Sequence, residues 1–301
     1  MSIIETEDLT KKFGKTIAVD NISMHVKPGE IYGFLGLNGA GKTTTIRLLI
    51  GLMKPEKGLS LLFGKKPKQA TEIWNDIGYL VETPHSYPNL TVVENLEVIY
   101  KLRGLKDRNL LDQTIEKLQL THYRDKKEQY LSLGNKQRLG LAKALIHKPK
   151  LLILDEPING LDPAGIVEIR EFLKDLAENH HTTIFISSHI LSEISRIATR
   201  IGIIHFGKLV KEINTSELEK QLIKKLYINT NNNQNALQLI NNKGFDAKMN
   251  DNSIIEISDN KAINHPENIA TFLVNSQIPP KLLNIYEEDL ESYFLRIIKD
   301  Q

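Results

Sequence analysis

The chain has 301 residues, of which 41% are hydrophobic and 25% are charged, and this balance excludes wholesale disorder. Its 39 basic and 37 acidic residues leave a formal net charge of +2, which gives no general attraction to nucleic acid or to an anionic membrane surface. The lack of cysteine excludes a disulfide scaffold, Cys-ligated zinc, iron–sulfur clusters and thiol catalysis.

The sequence shows neither a signal peptide nor a membrane span. Glu5, Glu7 and Asp8 lie within the first ten residues, where a signal peptide would be basic and then apolar. No window approaches the roughly 18 uncharged apolar residues of a transmembrane helix. We therefore expect a cytoplasmic protein, and any membrane part of its machinery would belong to another chain.

Residues up to about 210 alternate apolar runs of strand length with longer segments of helical period, a pattern typical of α/β layers. Residues 91–130 differ, because they predict helices only. Thr91 and Glu94 form a capping-box start, and the helix they open is expected to end at Gly104. The predicted buried strands are 31–35, 151–154 and 183–187, and the other predicted helices are 42–52, 134–147, 164–179 and 190–198.

The composition changes after about residue 210, where an asparagine-rich tract occupies 229–235. The tract could mark a flexible tail, but the spacing of Leu290, Phe294 and Ile297 favours a packed last helix. We therefore divide the chain into domain 1–221 and a small α/β domain, 222–301. Within the latter, the predicted strands are 226–230, 253–257 and 282–286, and the predicted helices are 235–242, 266–275 and 288–298.

A phosphate-binding loop is the strongest motif. The segment from Gly36 to Thr43 fits the pattern G-x-x-x-x-G-K-[ST], with a predicted strand before it and a helix after it. Backbone N–H groups in such a loop turn towards a polyphosphate, and the helix adds its positive end. Lys42 would reach the β- and γ-phosphates and Thr43 would complete a magnesium shell. The predicted contact residues are Gly36, Leu37, Asn38, Gly39, Ala40, Gly41, Lys42, Thr43 and Thr44.

Two acids follow a second buried strand. Asp155 and Glu156 come directly after Leu151–Leu154, at the carboxyl end of a strand, where ligands meet open α/β sheets. Asp155 is predicted to hold magnesium, directly or through water. Glu156 is predicted to orient or deprotonate the attacking water.

The segment Leu131-Ser132-Leu133-Gly134-Asn135-Lys136-Gln137-Arg138 lies between these motifs and resembles the ATP-binding-cassette signature Leu-Ser-Gly-Gly-Gln. The three motifs, in this order, are similar to the nucleotide-binding subunit of an ATP-binding-cassette transporter over about residues 3–210. The resemblance implies a P-loop NTPase cassette with a RecA-like α/β core, an N-terminal antiparallel β subdomain and a helical subdomain at about 85–147. It also implies that two copies enclose two ATP molecules, with each signature facing the other copy's phosphate loop.

Further positions follow from the same resemblance. Phe13 matches the aromatic residue that stacks on adenine, and His189 matches the switch histidine that contacts the γ-phosphate. Ser132 and the Gly134 amide, at a helix N-terminus, would contact a γ-phosphate. Asp162 belongs to the loop through which the two copies touch.

Two departures from the family pattern involve three positions. At the position of Glu82, most members have a glutamine that touches magnesium and senses the membrane subunit. We assign Glu82 as a third magnesium ligand, which could make ATP hydrolysis slower or differently gated. Leu133 and Asn135 replace a commoner glycine and glutamine in the signature. These departures, with the C-terminal α/β appendix, resemble the bacitracin-resistance and lantibiotic-immunity type of exporter.

The expected function is therefore an ATPase that uses ATP and Mg²⁺, dimerises, and powers a separate membrane permease from the inner face of the membrane. The cargo is expected to be an antimicrobial or other amphipathic peptide, with no nucleic acid as partner. Export of sodium or a small drug is the alternative. A soluble cassette protein acting on ribosomes or DNA fits less well, because the chain has one phosphate loop and no long coiled-coil insertion. An importer subunit is a further alternative, which a neighbouring gene for an extracellular solute-binding protein would indicate.

Overall fold

The computed structural model describes residues 2–82 and 85–299, and these form two compact units. The first unit extends to Glu217 and the second is Leu218–Lys299. The boundary expected after residue 221 lies four residues beyond the one in the structure. Gln221 belongs to the second unit, where its carbonyl accepts a hydrogen bond from Arg296. The outermost residues of the two predicted domains, Met1 and 300–301, lie outside the described part.

The first unit, which we call the cassette unit, contains two sheets among its described residues. Its strands, numbered in chain order, are β1 (Ile4–Phe13), β2 (Thr16–Val26), β3 (Ile31–Leu35), β4 (Lys57–Leu62), β5 (Ile77–Leu80), β6 (Leu151–Asp155), β7 (Thr183–Ser188), β8 (Arg200–His205) and β9 (Lys208–Asn214). The six-stranded sheet has the order β5-β6-β7-β3-β8-β9, parallel except for β9. A smaller antiparallel sheet has the order β2-β1-β4.

Three central strands of the large sheet form where the sequence predicts them. Every residue of β3, β6 and β7 is buried, as expected of parallel strands covered on both faces. Phe34 and Phe185 from this sheet share one core with Ile4 and Leu9 of the small sheet and with Ile46. This core fixes the large sheet, and its carboxyl edge carries the site.

Seven α-helices form among the described residues up to Leu218. They are α1 (Lys42–Leu49), α2 (Val92–Leu102), α3 (Asn109–Lys117), α4 (Leu133–Leu145), α5 (Pro163–Glu178), α6 (Leu191–Ile194) and α7 (Thr215–Leu218). The capping box predicted at Thr91 is present: its hydroxyl accepts from the Glu94 N–H, and the Glu94 carboxylate accepts from the Thr91 N–H.

The helix predicted over 190–198 is much shorter than expected. It ends at Ile194, and Ile197 N–H then donates to the Ile194 carbonyl, a tighter turn. The chain turns here because the next residues join the sheet, where Thr199 N–H bonds the Ile31 carbonyl. Sheet pairing therefore overrides the local helical pattern.

The second unit is a four-stranded antiparallel sheet with helices. Its elements are β10 (Lys224–Thr230), α8 (Asn233–Asn242), β11 (Ala247–Met249), β12 (Ile255–Ile257), α9 (Asn260–Asn264), α10 (Pro266–Asn275), β13 (Pro280–Glu287) and α11 (Leu290–Lys299). The strand order is β11-β12-β10-β13. The asparagine tract holds the end of β10 and the start of α8, where Asn232 accepts a hydrogen bond from the Asn235 N–H.

None of the helices formed by residues 2–82 and 85–299 combines the length and apolar character needed to cross a bilayer.

Candidate functional site

The loop between β3 and α1 can only be built with glycine at its ends. A Cβ on Gly41, whose φ is +109°, would lie 2.3 Å from the Ala18 carbonyl oxygen. A Cβ on Gly36 would lie 2.6 Å from the Ile204 side chain. No side chain caps the N-terminus of α1, so the N–H groups of its first turn face the loop. The result is a backbone cradle suited to an anion.

Lys42 is the buried cation of this cradle, with only 6% of its surface exposed. Its Nζ donates to the carbonyls of Gly36 (2.7 Å) and Leu37 (3.3 Å), which fold the loop around the ammonium group. The same Nζ lies 3.2 Å from Glu156 Oε1. Lys42 thus joins the phosphate loop to the acidic end of β6.

Thr43 and Asp155 meet at the edge of the sheet. Thr43 Oγ1 donates to Asp155 Oδ2 over 2.7 Å. Ser187, at the end of neighbouring β7, donates to the other carboxylate oxygen of Asp155 over 2.5 Å. A hydroxyl and a carboxylate side by side form a hard oxygen set of the kind that Mg²⁺ prefers.

Glu156 is held in an uncommon conformation beside this pair. Its φ is +49°, a left-handed value that costs energy for a residue with a side chain and is frequent at functional sites. The Glu156 N–H donates to Ser187 Oγ (3.1 Å), and its carbonyl accepts from Gln137 Nε2 (3.3 Å). His189 Nδ1 lies 3.0 Å from Glu156 Oε2. The carboxylate therefore stands between an ammonium and an imidazole.

Ser187 and Gln137 were not among the predicted site residues. Ser187 lies at the end of a predicted buried strand, and its pairing with Asp155 in the parallel ladder brings its hydroxyl to the site. A hydroxyl residue that ends a buried strand beside an acidic strand end was the available signal. Gln137 gave no such signal, because its contact depends on how α4 packs.

Phe13 lies at the end of β1 with 49% of its surface exposed. Its ring is 5.5 Å from Lys11 Nζ, a cation–π contact. Phe13 is therefore not fully packed, and its stacking on adenine stays a prediction.

Ser132, Gly134 and Asp162 lie apart from the Lys42–Glu156 cluster. Ser132 caps α4 by accepting from the Asn135 N–H (3.3 Å), and Asp162 caps α5 by accepting from the Gly165 N–H (3.0 Å). All three line one cleft, and no phosphate-loop residue lines it. Within one copy of the chain, the signature segment therefore does not complete the phosphate site.

Glu82 does not join the predicted magnesium ligands. Its carboxylate accepts a hydrogen bond from Arg47 of α1, and its side chain is 45% exposed. Its φ is +61°, again in the left-handed region. The assignment of Glu82 as a direct metal ligand is not supported by this geometry, because Arg47 neutralises the carboxylate at a more exposed position.

A groove beside Glu82 is lined by cations as well as apolar groups. Arg103 and Lys143 line it together with Tyr79 and Leu102. Burial lowers the pKa of Lys143, and the nearby Glu128 charge opposes that shift. Burial likewise lowers the pKa of Arg103. These cations are partly desolvated rather than freely hydrated surface charges.

Comparison with known proteins agrees with the fold and the site. The ABC transporter family model matches residues 19–159. The bacitracin transport ATP-binding protein BcrA of Bacillus licheniformis is 43% identical over 300 residues, which cover 99% of this chain and 97% of that protein. The lantibiotic transport ATP-binding protein SrtF of Streptococcus pyogenes is 38% identical over 222 residues, or 73% of this chain and 95% of that one.

Solved structures give the same result. The ATP-binding subunit of an ABC transporter superposes with a TM-score of 0.66 at 28% identity, covering 73% of this chain and 93% of that one. A dimeric, post-hydrolysis cassette, MJ0796 bound to ADP and Pi, gives a TM-score of 0.64 at 27% identity, covering 70% and 98%.

The fold and site define an ATP-binding cassette, an ATPase class whose members bind ATP. The chain belongs to the ABC transporter family, and its similarity to BcrA extends over nearly its whole length. The predicted family, subfamily resemblance, fold class and ATPase activity are thereby confirmed.

Proposed function

We propose that this protein is the ATPase subunit of an exporter for antimicrobial or other amphipathic peptides. The bacitracin and lantibiotic transport proteins to which it is similar support this choice of cargo. The single observation that carries the ATPase role is the meeting of Lys42, Thr43, Asp155 and Glu156 at one edge of the sheet.

Mg²⁺ fits the donor set at this edge. Thr43 Oγ1 and Asp155 Oδ2, which lie 2.7 Å apart, would hold the ion together with phosphate oxygens. When bound, the ion withdraws charge from the phosphates and makes the γ-phosphorus easier to attack. Ser187 keeps the Asp155 carboxylate oriented for this role.

The remaining residues divide the chemistry of in-line hydrolysis. A water oxygen attacks the γ-phosphorus, the bond to the bridging oxygen of ADP breaks, and the water proton passes to Glu156. Lys42 stabilises charge on the phosphates. His189, 3.0 Å from Glu156, keeps the base in place and contacts the γ-phosphate. Phe13 stacks on adenine through its exposed ring.

The complete site requires two copies of the chain. Ser132 and the Gly134 amide lie at the N-terminus of α4 but away from their own phosphate loop, so they serve the γ-phosphate of a second copy. Asp162 lines the same cleft and belongs to that interface. Ser132→Arg should leave ATP binding nearly intact and abolish turnover, because it removes the contribution of one copy to the site of the other.

A separate membrane permease is the second partner, and it would hold this subunit at the inner face of the membrane. The groove beside Glu82 contains partly buried Arg103 and Lys143 next to an exposed ion pair, and it is the surface on which we place the permease. The C-terminal unit is proposed as an accessory domain.

Coexpression with the membrane protein of the adjacent reading frame, a chain with about six apolar spans, tests the proposal in cells. Wild-type protein should raise peptide resistance and Glu156→Gln should not. Resistance to a small drug or to sodium, with none to peptides, would keep the ATPase role and replace the cargo.

A further inference from the structure

The edge of the C-terminal sheet at β13 is an unusually open surface. Among the described residues no strand pairs with the outer side of β13, which is the last strand in the order β11-β12-β10-β13. Six of its eight residues are exposed, and Ile285 retains 43% of its surface. Edge strands normally avoid such exposure, because unpaired backbone groups beside apolar side chains recruit another strand.

The protective residues of this edge are confined to its start. Pro280 and Lys281 begin the strand, but four of the next five residues are the apolar or aromatic Leu282, Leu283, Ile285 and Tyr286. The strand therefore has the composition of a paired strand rather than a protected edge.

The hydrogen-bonding pattern of β13 directs the backbone N–H and C=O groups of every second residue away from β10, where another strand could bond them. Glu288 N–H donates to the Ile223 carbonyl, and the register with β10 continues in phase from there to Leu282, beyond which it shifts by one residue. In an antiparallel ladder the bonding direction alternates residue by residue. Residues 282, 284 and 286 therefore bond towards β10, and the backbone groups of 283, 285 and 287 point outwards.

The sequence of β13 is complementary to itself when it runs antiparallel to a second copy. A two-fold axis at Asn284 places Lys281 opposite Glu287 of the other copy. The same register places Leu282 opposite Tyr286 and Leu283 opposite Ile285. The outward-pointing Leu283 and Ile285 then form the hydrogen-bonded pairs on either side of the axis, and charge, apolar contact and backbone bonding agree.

We propose that two copies of this chain pair through β13 to form a continuous eight-stranded sheet, independently of nucleotide. This isologous contact is distinct from the ATP-dependent contact of the cassette units, so it would keep two copies associated between catalytic cycles. We choose a second copy of this chain as the partner of β13 because the charged and apolar residues of the strand follow a self-complementary order.

Cysteine crosslinking of the full-length protein tests the register directly, because the chain has no native cysteine. At the axis, two copies of Asn284→Cys would have Cα atoms about 4.5 Å apart, within disulfide range. Lys281→Cys is the matched control on the same strand, since its two copies would lie about 20 Å apart.

Without nucleotide and under mild oxidation, Asn284→Cys should form a covalent dimer and Lys281→Cys should not. Equal crosslinking of both variants, or of neither, would overturn the proposal. A dimer seen only with ATP would also overturn it.

A charge swap gives a second readout by sedimentation. Lys281→Glu should raise the dimer dissociation constant about tenfold, and adding Glu287→Lys should restore association, although the second change also removes a pair with Lys224. Lys248→Glu makes the same charge change on β11, at the other edge of the sheet, and should have no effect. If Lys248→Glu weakens association as much as Lys281→Glu, only net charge matters and the edge pairing is wrong.

Discussion

Two neighbouring strands of the large sheet each deliver a glutamate at their carboxyl ends, yet the two glutamates have different surroundings. Glu156 follows β6 and Glu82 lies just beyond β5, and both have positive φ values, +49° and +61°. Each also faces a cation of α1: Lys42 for Glu156 and Arg47 for Glu82. Residue type, strand end and backbone conformation therefore do not separate them.

Burial and the number of partners do separate them. The Glu156 side chain is 22% exposed, its cation 6%, and it also contacts His189. The Glu82 side chain is 45% exposed and its cation 31%. An exposed ion pair is screened by water and contributes little, whereas a shielded carboxylate beside a phosphate cradle can act as a base. We therefore propose that Glu156 supplies the chemistry and that Glu82 serves partner sensing.

The largest expected effect is that of Glu156→Gln. Removing the base should lower ATP turnover by about 100-fold or more, while ATP binding persists because the phosphate loop is unchanged. Phosphate release and a nucleotide-binding titration measure the two quantities. A variant that hydrolyses ATP at the wild-type rate would remove Glu156 from the mechanism.

Lys42→Ala should act mainly on binding. It removes the buried cation that bonds the Gly36 carbonyl and that we propose contacts the phosphates, so ATP affinity should fall about tenfold or more. Isothermal titration checks this value. Unchanged affinity would contradict the phosphate contact.

Ser187→Ala should have an intermediate effect. The hydroxyl orients Asp155 and accepts from the Glu156 N–H, so the Mg²⁺ concentration needed for half-maximal turnover should rise about tenfold. Ser60→Ala removes another buried hydroxyl, which bonds the Leu48 carbonyl, and should leave that concentration unchanged. Equal effects of the two changes would reduce Ser187 to a stability role.

The smallest effect is expected at Glu82. Glu82→Gln should keep basal ATPase activity within about threefold, because an exposed pair with Arg47 contributes little. Glu82→Ala should impair peptide resistance in cells more than basal turnover of the purified subunit. Basal activity lost together with transport would instead place Glu82 in the chemistry.

The sequence predicts best what depends on burial and on a contiguous motif. The strands β3, β6 and β7 are recognisable because both of their faces are covered, and the phosphate loop because Gly36 and Gly41 have no room for a side chain. The ion pair of Glu82 with Arg47 could not be predicted, since it joins residues 35 positions apart in the chain. The early end of α6 was also missed, because the chain leaves the helix to pair with β3.

The most direct test of the division between the two glutamates is the amount of ATP that Glu156→Gln and Glu82→Gln retain after incubation with ATP and Mg²⁺ and removal of free nucleotide. ATP that binds but cannot be hydrolysed should stay enclosed between two cassettes, so Glu156→Gln should retain ATP. Glu82→Gln should hydrolyse its ATP and behave like the wild type. If both variants retain ATP equally, Glu82 takes part in hydrolysis and the assignment of separate roles is wrong.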